Sequence, residues 1–217
     1  CHMLEEKGVK LVREVYKEVE FRLDNVYVEC HRYITPFRGN RTLQRFEEYL
    51  RRLLAESSKQ RFEETYLLCP PLMFTIMLFI EHALGDLLHG KLSLKHLVDW
   101  IILRKQSFDY KSFELQCREF GFDRFLTLID SLADVLEEKK EASSLPEVFN
   151  DVYQSLFTIP SISTKPESWF SRRVSLFFEI IQNRRMYQNF GYCSMEHFLV
   201  NSVWCHFFKK EVVQLKQ

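Results

Sequence analysis

The sequence is poor in the residues that break regular structure. Six Gly and six Pro are spread through 217 residues, with no low-complexity tract and no internal repeat. Such a composition excludes collagen-like chains and argues against wholesale disorder. Net charge is also lacking: thirty basic residues balance thirty acidic ones. A zero balance gives no support for a broad nucleic-acid-binding surface. No C-x-x-C pair occurs among the six cysteines, at 1, 30, 69, 117, 193 and 205. They read as buried thiols in a reducing compartment, which places the protein in the cytoplasm. The longest apolar run, PPLMFTIMLFI from Pro70 to Ile80, ends at Glu81 and His82. That is short of the roughly 20 residues a membrane span requires, so no membrane partner is expected. G-x-S-x-G, P-loop and G-x-G-x-x-G motifs are all absent, which removes the commonest signatures of nucleophilic and phosphate-cradling sites.

What is abundant is hydrophobic and aromatic mass, 46% and 15% of the chain with twenty Phe. This suffices for one substantial core with a small appendage. The opening CHMLEEKG resembles a helix tail with Gly8 at its C′ position. Either His2-Met3 is a foreign addition or the chain has lost its natural beginning. The fit of Met3 and Leu4 to a native helix favours the second.

Residues 9–33 read as two or three strands. In KEVEFRL, Val19, Phe21 and Leu23 point inward and Glu18, Glu20 and Arg22 outward. Asp24-Asn25 suits a two-residue turn. NVYVECHRY then returns antiparallel, with Val26, Val28 and Cys30 on the core face and Tyr27, Glu29 and His31 on the other. A sheet so small is marginal alone, and an open edge makes a homodimer through strands an expectation.

Helix signals follow. Thr42 is expected to cap LQRFEEYLRRLLAES. Pro70-Pro71 opens an almost wholly apolar helix stopped by Gly90, and Ser93 caps LKHLVDWIILRK. Further helices are expected over 110–120, 123–138 and 145–157. TIPSISTKPES, residues 158–168, is a linker, and two more helices are expected beyond it. The all-round apolar helix 72–89 belongs at the centre of a bundle, shielded by 42–57, 94–105 and 122–137. The expected fold is α+β, predominantly α: a small antiparallel sheet over residues 1–40, then a multi-helix bundle over 41–217 with a sub-boundary at 158–168.

Three constellations can carry chemistry. Glu29, with Tyr27, His31, Arg32 and Arg38 close in sequence, offers a strand-end carboxylate able to help hold a divalent cation. The plain alternative is a solvated strand face on which Glu29 sits opposite Arg22 or Glu20. His82, Asp86 and His89 share one stripe at i, i+4 and i+7, with His96 and Asp99 on the next helix. A metal-dependent hydrolase site can be assembled from these five. Alternatively, His82 is held between helices by a carboxylate such as Asp99, and His89 is a surface residue near the helix end. Arg172, Arg173, Arg184 and Arg185 interleave with Tyr187, Phe190 and Tyr192. That pattern suits phosphate or single strands, or else arginine stems covering an amphipathic helix.

Two segments resemble a family. VYVECHRYITPF (26–37) is similar to the v-x-[IV]-E-[IL]-H-[RW] strand of a bacterial nucleotidyltransferase family of the polymerase-β-like superfamily. FIEHALGDLLHGKLSLKHLVDW (79–100) resembles the helical signature of that family, with His82, Leu94, Leu97, Asp99 and Trp100 matching; Lys95 stands where Arg is more usual. The resemblance covers roughly residues 1–140 well and the remainder loosely. It implies a Mg-dependent transfer of a nucleotidyl group from a nucleoside triphosphate to an unknown acceptor. Glu29 would be the third metal-binding carboxylate, with His31 beside it and Arg32 and Arg38 near the nucleotide. His82, Asp99 and Trp100 would be structural motif positions. The G-S…D-x-D strand that carries the first two carboxylates in that superfamily is absent from this sequence. The chain alone is therefore expected to be inactive. The competing expectation is a non-enzymatic helical protein-interaction module.

Overall fold

The structure, a computed structural model, describes residues 11–14, 18–23, 26–35, 40–62, 65–157, 181 and 183–191. The expected helix tail at 1–8, the Asp24-Asn25 turn, Arg38, the 158–168 linker and the final helix lie outside these residues. The chain is α+β and predominantly α. It divides into two compact units, one holding the described residues up to Arg52 and the other those from Leu53 onward.

In the first unit, β1 (Leu11–Glu14), β2 (Glu18–Leu23) and β3 (Val26–His31) form an antiparallel sheet in the order β1-β2-β3. The β2–β3 register runs from Glu18 opposite His31 to Leu23 opposite Val26. Val19 and Phe21 are buried as expected, but Glu20 between them, expected outward, is buried as well, where the Tyr27 hydroxyl meets its carboxylate. Three inward assignments fail: Val26 is 61% and Leu23 51% exposed, and Cys30 is exposed as well. These residues lie at the closed end of the hairpin or on its outer strand, where the sheet gives them least cover. Among the described cysteines, Cys117 alone fulfils the expectation of buried thiols; Cys69 is half-buried.

Helix α1 (Arg41–Ala55) follows. Leu43, Phe46 and Leu50 are buried at the three- and four-residue spacing of one helical stripe. Its cap is Asn40, not Thr42: the Asn40 Oδ1 accepts the Leu43 N–H at 3.0 Å. An Asn side chain reaches the N3 amide from the residue before the helix, whereas Thr42 is already inside it. Glu47, on the same buried side, is 3% exposed. Its carboxylate accepts the backbone N–H groups of Ile34 at 3.2 Å and Thr35 at 2.8 Å. Arg51 Nε donates to it at 2.7 Å, and Arg51 Nη2 donates to the Arg32 carbonyl at 2.5 Å.

The second unit opens with a hairpin absent from the sequence expectations, β4 (Ser58–Phe62) paired antiparallel with β5 (Thr65–Cys69). Helix α2 (Leu72–Leu88) comes next, entered from Pro71. It ends as predicted at Gly90, whose φ of +67° is the left-handed conformation glycine adopts without strain. The Lys91 N–H reaches back to the Asp86 carbonyl at 2.7 Å, closing a Schellman-type end. Then come α3 (Leu94–Arg104), α4 (Tyr110–Glu119), α5 (Asp123–Leu136), a single 3-10 turn at Ala142–Ser144, α6 (Glu147–Leu156) and α7 (Arg184–Phe190). Of the helix expected from about 169 to 190, the described part includes α7.

Helix α2 is central as expected, burying Phe74, Ile76, Met77, Ile80, Ala83, Leu84, Leu87 and Leu88. Its backbone neighbours are α4, α5 and α7, while α3 reaches it through rings. The Phe79 and Trp100 rings stack at 6.0 Å with 5° between their planes. Among the described residues, no helix is long and apolar enough to cross a membrane.

Candidate functional site

Two separate groups of side chains carry the candidate chemistry, one in each unit. On β3, Glu29 projects from the outer strand with its side chain 54% exposed, and His31 Nε2 lies 3.6 Å from its carboxylate. Glu20 stands directly opposite Glu29 in the ladder. It is 8% exposed and accepts a hydrogen bond from the Tyr27 hydroxyl at 3.3 Å. Tyr27 also receives the Arg22 guanidinium over its ring at 5.8 Å. Of the two cross-strand partners considered for Glu29, the register selects Glu20. Arg32 is used partly through its backbone, its carbonyl held by Arg51.

In the second unit the structure regroups the histidines. His82 Nε2 is 3.8 Å from Asp86 Oδ2 one turn along α2. His96 Nε2, from the first turn of α3, is 3.0 Å from the same oxygen. The three donor atoms all lie within 4.8 Å of one another. His82 is not wedged between helices on Asp99; its side chain is 72% exposed. His96 takes that place at 15% exposure. Asp99 instead pairs with Lys95 at 2.5 Å, one turn away on its own helix. His89 closes the C-terminus of α2 and is half-buried there, not fully on the surface.

Local sequence explains where His96 points. Ser93 precedes α3, and His96 occupies the third helical position, where a capping-box side chain turns back. The Ser93 N–H donates to His96 Nδ1 at 3.1 Å, and the Ser93 hydroxyl lies 2.9 Å from the same nitrogen. The neutral ring therefore carries its proton on Nε2 and presents it to Asp86.

Trp100 belongs to the core. It is wholly buried, and its Nε1 donates to Asp130 Oδ1 at 2.9 Å. The other Asp130 oxygen accepts the Tyr110 hydroxyl at 2.6 Å. Burial, reinforced by this bond, raises the Tyr110 hydroxyl above its ordinary pKa. Burial also pushes the Cys117 thiol up, leaving it inert.

The polar seam continues along α3 and α5, where Arg104 pairs with Asp134 at 3.0 Å and with Glu137. Hydrogen bonds from Lys105, Arg104 and Lys139 hold the Glu137 carboxyl down at about 2. Burial opposes ionisation of Asp134, but Lys140 and Arg104 overcome it and lower its pKa. A depressed carboxyl stabilises the fold fully above its unfolded value and loses that contribution as pH falls through its folded value. Melting temperature should therefore drop as pH is lowered from about 4.5 toward 2. The Asp134→Asn, Glu137→Gln double variant should show a flatter curve over that window. Parallel curves for the two proteins would refute the assignment.

The basic and aromatic segment near residue 187 is partly committed internally where it is described, with Arg184 exposed. Arg185 pairs with Asp151 at 2.6 Å and Glu147 at 2.9 Å, while Tyr187 and Phe190 are buried. Arg172, Arg173 and Tyr192 lie outside the described residues.

No family model matches the chain, and neither a curated protein nor a solved structure matches it.

Proposed function

We propose that this is a nucleotidyltransferase-like chain of the cytoplasm in which Glu29 forms part of a metal–nucleotide face, and that the polypeptide alone does not turn over. The observation that carries the reading is the placement of Glu29. It stands exposed on an outer strand beside His31, in a small antiparallel sheet that precedes the helices, as the resemblance to the family implies. Magnesium favours carboxylate and phosphate oxygens and would neutralise triphosphate charge.

The donor set falls short of a complete magnesium site. Glu29 offers an open carboxylate, but its neighbour Glu20 is buried and engaged by Tyr27. The sequence contains no D-x-D pair to supply the rest. In-line nucleotidyl transfer relies on a metal held by about two or three carboxylates. Glu29 and His31 thus support nucleotide-metal binding here, not turnover.

The test joins thermal shift with labelled nucleotide. Magnesium with a nucleoside triphosphate at about ten times its Kd should stabilise the chain by about 1.4 kcal/mol, a rise of roughly 3–6 °C. Glu29→Ala should lose most of that rise, and no label should transfer to the chain or to added acceptors. Robust transfer would overturn the claim of inactivity. An equal rise in Glu29→Ala, or no rise in either protein, would overturn the nucleotide face.

The second of these outcomes favours a helical interaction module, the reading supported by a different surface. Leu94, Val98 and Ile102 repeat every fourth residue along α3 and are 39%, 47% and 55% exposed, an apolar row typical of helix-docking faces.

A further inference from the structure

We propose that His82, Asp86 and His96 form a binding site for a divalent transition metal, independent of the Glu29 face and of the nucleotide reading. Two imidazoles and one carboxylate suit zinc, cobalt or nickel better than magnesium or calcium, which prefer all-oxygen shells.

The geometry is close to what such an ion requires. Zinc binds His nitrogen and carboxylate oxygen at about 2.0–2.2 Å, so tetrahedral donors stand roughly 3.3 Å apart. Here the Asp86 oxygen is 3.0 Å from His96 Nε2 and 3.8 Å from His82 Nε2, and no pair of donors exceeds 4.8 Å. Asp86 and His96 are the fixed part, at 28% and 15% exposure on two packed helices. His82 is the adjustable part. It is mostly exposed, and its ring centroid lies 6.3 Å from that of His96. A small rotation of an exposed side chain closes the remaining gap.

The second shell is also present. Without metal, the Ser93 N–H donates to His96 Nδ1, and the Nε2 proton faces Asp86. When Nε2 takes the metal, that proton relocates to Nδ1 and is accepted by the Ser93 hydroxyl 2.9 Å away, at the cost of the Ser93 N–H bond to Nδ1. Ring-bound metals usually have such an acceptor on the other nitrogen, fixing tautomer and orientation. No net proton is released by the imidazole. Three protein ligands leave a coordination position open toward solvent, the arrangement that admits water or an exogenous ligand.

The experiment is calorimetric titration of the full chain with zinc chloride under a non-thiol reductant. It compares the natural chain with His82→Ala, Asp86→Asn and, because Cys30 and His31 are also exposed, His31→Ala. His82→Ala removes an exposed ring and leaves the core untouched, so circular dichroism should be unchanged. The natural chain should show a zinc event that weakens at least tenfold in both His82→Ala and Asp86→Asn and persists in His31→Ala. Cobalt in place of zinc should give visible d–d absorption that disappears in His82→Ala. Zinc binding that survives His82→Ala and Asp86→Asn unaltered, or no binding by the natural chain, overturns the site. Neither result bears on the Glu29 thermal shift.

Discussion

Trp100→Ala is expected to destabilise the protein by about 3–5 kcal/mol, the range for removing a large aromatic from a packed core. Trp100 has no exposed surface. It stacks on Phe79 and lies 5.9 Å from the Phe113 ring. Truncation opens a cavity between three helices that cannot collapse independently, because Phe79, Phe113 and Asp130 belong to α2, α4 and α5. It also removes the indole donor to Asp130. That second loss costs less, because Asp130 is 27% exposed and water can replace one bond to it. Trp100→Phe separates the two effects. It keeps most of the ring and loses the donor, and should cost about 1–2 kcal/mol. Urea unfolding followed by circular dichroism measures both. A Trp100→Ala cost no larger than that of Trp100→Phe would show that packing around the indole is not what holds α3 in place.

The elements that could be read from the sequence are those whose burial follows a single period. In β2 the hydrophobic period of two puts Val19 and Phe21 inside, although Glu20 between them is buried too. In α1 and α5 it is three to four, and Gly90 and Gly121 mark left-handed stops. The β4–β5 hairpin escaped because, among its described side chains, β5 shows no buried face to advertise. Tyr66, Leu67 and Leu68 are consecutive and all at least half exposed, so hydrophobicity there does not alternate with burial. The third left-handed stop, at Glu138 with φ 59°, carries no glycine and leaves no local trace. At the candidate metal group, the i, i+4 pair of His82 and Asp86 was visible on α2 and His96 was among the five candidates, but nothing in the sequence ranked it above His89 or Asp99. The stripe pointed to His89, whereas the connection through Gly90 to Ser93 brings in His96. Asp99 was a reasonable partner by type until Lys95, four residues before it, claimed it locally.

Glu47 was the least readable residue, and its removal has the second large effect. In sequence it is one acidic residue in a charged helix, interrupting the Leu43, Phe46, Leu50 stripe. In the fold its carboxylate holds two consecutive backbone amides, Ile34 and Thr35, that follow the outer strand. Glu47→Leu fills the volume but strands both donors, and Thr35 is fully buried. Each stranded donor costs about 1–3 kcal/mol, so the variant should lose about 2–4 kcal/mol, partly relieved where water reaches Ile34. Glu47→Gln keeps an acceptor for one amide and should lose about half as much. Arg51 discriminates between an ion-pair role and an amide-holding role. It is 51% exposed, and an exposed partner contributes little by itself. Arg51→Ala should therefore cost no more than about 1 kcal/mol, even though its guanidinium also reaches the Arg32 carbonyl. If Arg51→Ala proves as damaging as Glu47→Leu, the ion pair and not the amide contacts ties α1 to the segment after β3. If only Glu47→Leu is damaging, that segment, and with it the direction in which His31 and Glu29 leave the sheet, is positioned by one buried carboxylate.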